Sequence, residues 1–157
     1  MKKIAVFVDV QNIYYTTRDT YGGQFDYRQL WQKIGAQGEI VAAYAYAIDR
    51  NDARQIKFQN ALRKIGFTVK LKPYIQRSDG SAKGDWDVGI TIDVLEAAKD
   101  VDVVVLLSGD GDFAVLLDKI QKDYAVSAEV YGVRKLTANS LIDAASVYHR
   151  IDEEMLM

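Results

Sequence analysis

The chain has 157 residues, 49% of them hydrophobic and 27% charged, which is the composition of one globular domain with a sizeable core. Its net charge of -2 indicates no particular partner, and the absence of cysteine excludes disulfides and thiolate metal sites. The N-terminus turns acidic too early for a signal peptide, and no apolar run approaches the roughly 20 residues of a membrane span. We therefore expect a soluble cytoplasmic protein with a single domain over residues 1–157.

Short apolar segments alternate with segments of helical periodicity along the chain. Strands are predicted at 3–10, 39–48, 67–75, 103–107, 126–133 and 147–151. Helices are predicted at 25–34, with Asp26 as a possible cap, and at 51–65, 87–99, 114–122 and 138–145. Pro73 suggests that its strand lies near a sheet edge. This alternation predicts an α/β fold: a three-layer α/β/α sandwich with a central, mostly parallel sheet.

Carboxylates stand where two of the predicted strands end. Asp9 closes the first strand, and Asp110 and Asp112 follow the continuous apolar run at 103–107 in the loop SGDGD. Ligands of open parallel sheets bind at the carboxyl ends of the strands. If the run at 103–107 lies beside the first strand, these acids converge, and the helix at 87–99 can bring Asp87 or Asp93 to the same place.

Four or five acids with no cysteine and a single histidine make a site of oxygen ligands, which suits Mg²⁺ or Mn²⁺ better than zinc. Two such ions about 4 Å apart can activate water and stabilise both the attacking and the leaving oxygen of a phosphodiester. The pattern favours phosphodiester hydrolysis. Each acid also has a structural interpretation: Asp87 and Asp112 can cap helices, Asp9 can close a turn and Asp93 can pair with a lysine.

The sequence lacks residues that several other types of active site require. The lone His149 lies far from the acids along the chain, so a Ser-His-Asp triad is not indicated, and we expect it to be structural or exposed. No glycine-rich phosphate-binding loop follows the first strand. The sequence around Asp110 and Asp112 lacks the later ligands of a calcium-binding hand.

Residues 50–83 form a basic band, with nine basic residues against two acidic ones. Such a band is either a solvated surface or the binding surface for a polyanion. As a nucleic-acid surface, its candidates for substrate binding are Arg54, Lys57, Lys70, Lys72, Arg77 and Lys83, to which we add Ser108 of the acidic loop. Tyr74 lies on the same strand face, and Tyr14, Tyr15 and Trp86 are available either for packing or for stacking on unpaired bases.

Three motifs together resemble the NYN domain, a PIN-like nuclease family. They are Val8-Asp9-Val10-Gln11-Asn12, the Lys83-Gly84 pair ahead of DVGITID at 87–93, and Ser108-Gly109-Asp110-Gly111-Asp112-Phe113. The resemblance implies a PIN-like α/β/α fold and a Mg²⁺- or Mn²⁺-dependent ribonuclease site that acts on RNA. It makes Asp9, Asp93, Asp110 and Asp112 the acids of a catalytic metal site, Asn12 a supporting polar ligand of that catalytic site, and Asp87 a further metal-site acid. Two features depart from the family pattern: the additional Asp85-Trp86, and Ser146 where an acid often stands.

Three functions remain open at this point. The leading one is a metal-dependent endoribonuclease that acts on RNA, in particular on single-stranded RNA. Assembly into a homo-oligomer is left open. The second is an RNA-binding or regulatory module without turnover. The third is a phosphatase or phosphoacceptor domain using Asp9, which is disfavoured because no lysine closely follows the second acidic loop.

Overall fold

The computed structural model describes residues 1–73, 75–76, 82–83 and 85–157. Its central sheet has six strands, all parallel, in the order β3-β2-β1-β6-β7-β8. These strands are β1 (Lys3–Asp9), β2 (Glu39–Asp49), β3 (Thr68–Pro73), β6 (Val103–Leu107), β7 (Ser127–Gly132) and β8 (Val147–Arg150). The predicted three-layer α/β sandwich with a parallel sheet is confirmed.

The two halves of the chain meet between β1 and β6. Strands β1, β2 and β3 extend in one direction from this line, and β6, β7 and β8 extend in the other. Val8 of β1 pairs with Leu107 of β6, so their carboxyl ends lie at the same edge of the sheet, here called the carboxyl edge. The neighbouring positions expected for the two acid-bearing strands are therefore confirmed.

Helices cover both faces of the sheet. The first face carries α1 (Val10–Tyr21), α2 (Tyr27–Gly35) and α3 (Ala53–Ile65), and the second carries α4 (Asp87–Ala98), α5 (Ala114–Tyr124) and α6 (Asn139–Ala144). Every residue of β6 is buried, and alternate residues pack into the two separate cores. This explains why β6 is a continuous apolar run, because a strand covered on both faces has no polar side.

The helix α1 was not predicted. Thr16 and Thr17 are poor helix formers, but both are buried here, and the Thr17 hydroxyl donates to the Ile13 carbonyl at 2.7 Å. Packing of Val10 and Ile13 against the first core therefore overrides the weak local propensity.

Smaller predictions have mixed outcomes. Asp26 caps α2 by accepting from the Gln29 amide at 3.1 Å, and Pro73 lies on an edge strand, both as expected. Between β3 and α4, β4 (Ile75–Gln76) and β5 (Ala82–Lys83) pair as antiparallel strands, and this pairing is not among the predicted elements. In the described residues, no helix combines the length and the apolar character needed to cross a membrane.

Candidate metal centre

The loop after β6 is held by hydrogen bonds to its own backbone and to β1. Ser108 is fully buried, and its hydroxyl donates to Asp9 Oδ2 at 3.1 Å while accepting from the Asp110 amide at 3.1 Å. Asp110 Oδ1 in turn accepts from the Asp112 amide at 2.9 Å. Ser108, predicted to contact substrate, is enclosed here, and its hydroxyl bonds to Asp9 and to the Asp110 amide.

Two glycines let this loop pack closely against residues 136–140. A Cβ at Gly109 would lie 2.5 Å from the Leu136 carbonyl oxygen, and one at Gly111 would lie 2.8 Å from the Ala138 Cβ. The Ala138 amide also donates to the Gly109 carbonyl at 3.0 Å. The loop therefore needs glycine at these positions because the neighbouring chain leaves no room for a side chain.

Asn12 completes the link between β1 and β6. It lies in the first turn of α1, and its Oδ1 accepts from the Gly109 amide at 2.9 Å. The side chain thus holds the acidic loop through a backbone amide, and the role of supporting polar ligand that the resemblance implied for it stays a prediction. With the bond between Ser108 and Asp9, it ties the central strands together beside the acids.

Three carboxylates meet at the carboxyl edge. Asp87, Asp110 and Asp112 each offer an oxygen, and these oxygens lie within 4.8 Å of one another. Asp87 is the first residue of α4, so a crossover helix from the second face brings it to the loop after β6. Asp87 and Asp110 are partly buried and Asp112 is exposed, which leaves the group open to solvent on one side.

Burial, together with the crowding of like charges, sets the electrostatics of the site. Burial raises the pKa of Asp87 to about 7, helped by a hydrogen bond to Asp110 and by the charges of Asp110, Asp85 and Asp9. Burial likewise raises the pKa of Asp9 to about 6, although the hydrogen bond from Ser108 lowers it, and the charges of Asp110 and Asp85 add to the increase. A cation placed among these carboxylates would relieve this repulsion.

Asp85 is the acid that the sequence analysis missed as a site residue. It is exposed, its Oδ1 accepts from the Asp87 amide at 3.2 Å, and its charge acts on both Asp9 and Asp87. The available signal was its position two residues before the first residue of α4. In the resemblance to the NYN domain, Asp85 is only part of the additional Asp85-Trp86 pair.

Asp93 does not belong to the group of three. Its Oδ2 accepts from Lys70 Nζ at 2.6 Å and from the Tyr46 hydroxyl at 2.7 Å. Six residues separate it from Asp87, which on a helix of 3.6 residues per turn points the two side chains in different directions. Instead of meeting the other acids, Asp93 takes its structural alternative of pairing with a lysine.

The predicted substrate-binding residues are spread over the first half of the sheet. Arg54 and Lys57 are exposed on the first two turns of α3, which starts near the carboxyl edge. Lys72 donates to the Asp85 carbonyl at 2.9 Å and lies 4.6 Å from the Trp86 ring, beside the acids. The predictions for Tyr74 and Arg77, and for the side chain of Lys83, lie outside the described part of the chain.

The donor set fits a hard divalent cation. Among the described residues, the three grouped ligands are all carboxylates, and carboxylate oxygens are the ligands that Mg²⁺ and Mn²⁺ prefer. His149 takes no part, since its Nε2 lies 2.6 Å from Glu129 Oε1 and its ring stacks on Tyr131. The acidic group therefore fits a metal site, while the identity of the ion remains a prediction.

Comparison with known proteins agrees with this arrangement. The chain is 33% identical over 119 residues to the low amplitude and bright protein LabA of Synechococcus elongatus, covering 71% of this chain and 63% of that protein. A crystal structure of VPA0982, a protein of unknown function from Vibrio parahaemolyticus, is 54% identical with a TM-score of 0.94, over 99% of this chain and 96% of that chain. Ribokinase from Giardia lamblia shares the fold alone, with 11% identity and a TM-score of 0.51 over 94% of this chain and 57% of that chain.

The family assignment rests on nearly the whole chain. The NYN domain matches residues 3–152, a range that includes both acidic strand ends, α4 and the loop after β6. The chain spans 63% of the length of the LabA protein, so the match to LabA does not extend to that whole protein. From the match over residues 3–152 and the 33% identity to LabA, the chain belongs to the NYN domain family.

Proposed function

We propose that the protein is a Mg²⁺- or Mn²⁺-dependent ribonuclease that hydrolyses phosphodiester bonds of RNA. The observation that carries the proposal is the group of carboxylate oxygens of Asp87, Asp110 and Asp112 within 4.8 Å of one another. Asp9 stands beside them, held by Ser108. Membership of a PIN-like nuclease family supports the same chemistry.

In this proposal Asp87, Asp110 and Asp112 are the direct ligands, and Asp9 completes the negative surface. A divalent ion held by these carboxylates would supply a nucleophilic water at neutral pH and would stabilise the charge that develops on the phosphate. Ser108 and Asn12 are positioning residues, since one orients Asp9 and Asp110 and the other orients the loop at Gly109. These roles are assigned from exposure, because Ser108 is fully buried whereas Asp87 and Asp110 are only partly buried and Asp112 is exposed.

The negative site must hold a negatively charged substrate, so cations are needed around it. Lys72 is fixed against the Asp85 carbonyl and the face of Trp86, next to Asp87. Lys70, paired with Asp93, follows on the same strand face, and Arg54 and Lys57 lie on the other face of the sheet. These residues are proposed to contact the RNA backbone, together with Arg77 and Lys83.

The test is cleavage of end-labelled single-stranded RNA, duplex RNA and DNA in Mn²⁺, in Mg²⁺ and in EDTA. The native protein should cleave RNA only with a divalent ion, and Asp112→Asn should lose the activity. Glu96→Gln is a matched control, because Glu96 is an exposed acid near the opposite end of α4 from Asp87. Cleavage that persists in Asp112→Asn, or that needs no metal, would contradict the proposal.

A second candidate is an RNA-binding module of the same fold without turnover. The observation that favours it is the engagement of Asp93 by Lys70 and Tyr46, which leaves fewer acids for the metal than the resemblance implied. Tight binding of RNA by the native protein without cleavage in either ion would support this candidate over the first.

A further inference from the structure

The outward face of α1 carries an aromatic cluster that the cleavage chemistry does not use. Tyr14 and Tyr15 are 48% and 38% exposed, and their ring centroids lie 5.3 Å apart in an edge-to-face arrangement. The Arg18 guanidinium lies 5.3 Å from the Tyr14 ring and 4.9 Å from the Tyr15 ring, and it also contacts Asp19 at 3.3 Å. Tyr14, Tyr15 and Arg18 are here called the α1 platform.

The platform is not part of the core packing of its helix. Val10, Ile13, Thr16 and Thr17 are the buried residues of α1, and they occupy the opposite side. Tyr14 and Tyr15 pack against each other and against Arg18, but burial of the core side of the helix does not require them. Their exposed faces are available to a ligand.

Trp86, the other aromatic residue near the acids, is committed elsewhere. Its Nε1 donates to the Ala47 carbonyl at 2.9 Å, and its ring contacts Tyr46 at 5.3 Å and Lys72 at 4.6 Å. It packs against the second core. Of the three aromatics considered for stacking, Tyr14 and Tyr15 therefore have the freer rings.

The platform begins close to the acidic carboxyl edge. The helix α1 starts directly after Asp9 and includes Asn12, which contacts the acidic loop. With a rise of 1.5 Å per residue, Arg18 lies about 9 Å along the helix axis from Asn12. A nucleic-acid strand held at the acids can therefore continue along the outward face of α1.

We propose that the α1 platform stacks on unpaired bases of single-stranded RNA that leaves the acidic edge along α1. Every base offers a π-face to an exposed tyrosine, while bases within a duplex are already stacked and are not available. Arg18 adds a cation that suits both a base face and a nearby phosphate. The inference rests on the proposed ribonuclease function for the choice of RNA as ligand.

The test measures binding of a short fluorescein-labelled single-stranded RNA by fluorescence anisotropy in EDTA, so that metal-dependent cleavage does not contribute. The double variant Tyr14→Ala/Tyr15→Ala should bind at least about five-fold more weakly, the lower end expected for loss of stacking on one base. Tyr14→Phe/Tyr15→Phe keeps both rings and should bind as the native protein does.

Tyr124→Ala serves as the matched control, because Tyr124 is also an exposed tyrosine, 37% accessible, but ends α5 at the opposite edge of the sheet. It should leave binding unchanged, and the affinity for a duplex RNA should not respond to the Tyr14→Ala/Tyr15→Ala change. Thermal melting of each variant checks that the fold is retained.

Unchanged single-strand affinity in Tyr14→Ala/Tyr15→Ala, an equal loss for duplex RNA, or no binding by the native protein would each overturn the platform. The two proposals fail separately. Cleavage that depends on Asp112 but binding that ignores the tyrosines removes only the platform, whereas tyrosine-dependent binding without cleavage removes only the ribonuclease.

Discussion

Asp87→Asn should stabilise the protein in the absence of metal. The pKa of Asp87 is about 7 in the folded protein, against an ordinary value of 3.8. Between these pH values the folded protein binds this proton more tightly than the unfolded chain does, so the free energy of unfolding falls as pH rises from about 4 to about 7. Asparagine cannot ionise, so the variant avoids that loss.

The magnitude follows from the size of the pKa difference. For a group shielded from water, a pKa difference of this size would correspond to about 4 kcal/mol in the free energy of unfolding. Asp87 is only partly buried, so solvent screening reduces the effect to about 1–2 kcal/mol. Losing a negative charge from the first turn of α4 costs about 0.3–1 kcal/mol. We expect a net gain of about 1 kcal/mol at pH 8, or about 2–4 °C in Tm.

The assay is urea unfolding at pH 4 and pH 8 in EDTA and again with excess Mg²⁺. The gain in Asp87→Asn should appear at pH 8 and nearly vanish at pH 4. Mg²⁺ at 100 times its Kd should add about 2.7 kcal/mol to the native protein and less than about 1.7 kcal/mol to the variant, which lacks one ligand, so that their order reverses. Glu96→Gln should follow the native protein throughout. A variant that is equally destabilised at both pH values would refute the reasoning.

Three further predictions address the ligands and the loop. Asp110→Asn should abolish the rise in Tm that Mg²⁺ or Mn²⁺ produces, as followed by thermal melting, while changing the metal-free Tm little; a retained rise would exclude Asp110 as a ligand. Asp93→Asn should keep that rise, because Asp93 pairs with Lys70, and loss of the rise would return Asp93 to the metal site. Gly109→Ala should lower the free energy of unfolding by about 1–3 kcal/mol, measured in urea, since its Cβ would lie 2.5 Å from the Leu136 carbonyl oxygen; an unchanged midpoint would contradict that close packing.

The strand-end acids could be predicted because their signals are local. A run of β-branched residues followed by two glycines indicates a buried strand and a tight loop, and this placed Asp110 and Asp112 at the carboxyl edge. Parallel pairing of β1 with β6 then brings Asp9 to the same place. The general rule for parallel sheets was sufficient for this part of the site.

The environment of Asp93 could not be predicted, because its partners are distant in sequence. Tyr46 and Lys70 come from β2 and β3, 47 and 23 residues away, and only the register of those strands brings them to Asp93. Sequence reasoning recognised that a partly buried carboxylate needs a partner, but could not choose between a lysine and a metal. The helix α1 was missed for a similar reason, since Ile13 is stabilised by the core and not by local propensity.

The side-chain bonds that cross from β1 to β6 make the centre a product of tertiary assembly. Asp87, Asp110 and Asp112 all lie in the second half of the chain, but Asp9 and Asn12, which bond to the loop that carries two of them, belong to the first half. The loop therefore has its full support only when the two halves dock, and this support is lost in the same cooperative transition as the sheet. Fraying of the edge strands β3 and β8 leaves the pairing of β1 with β6 intact, because two strands lie between each edge strand and the line where β1 meets β6. Binding of a divalent ion at the proposed centre would therefore report on how well the two halves are docked between β1 and β6.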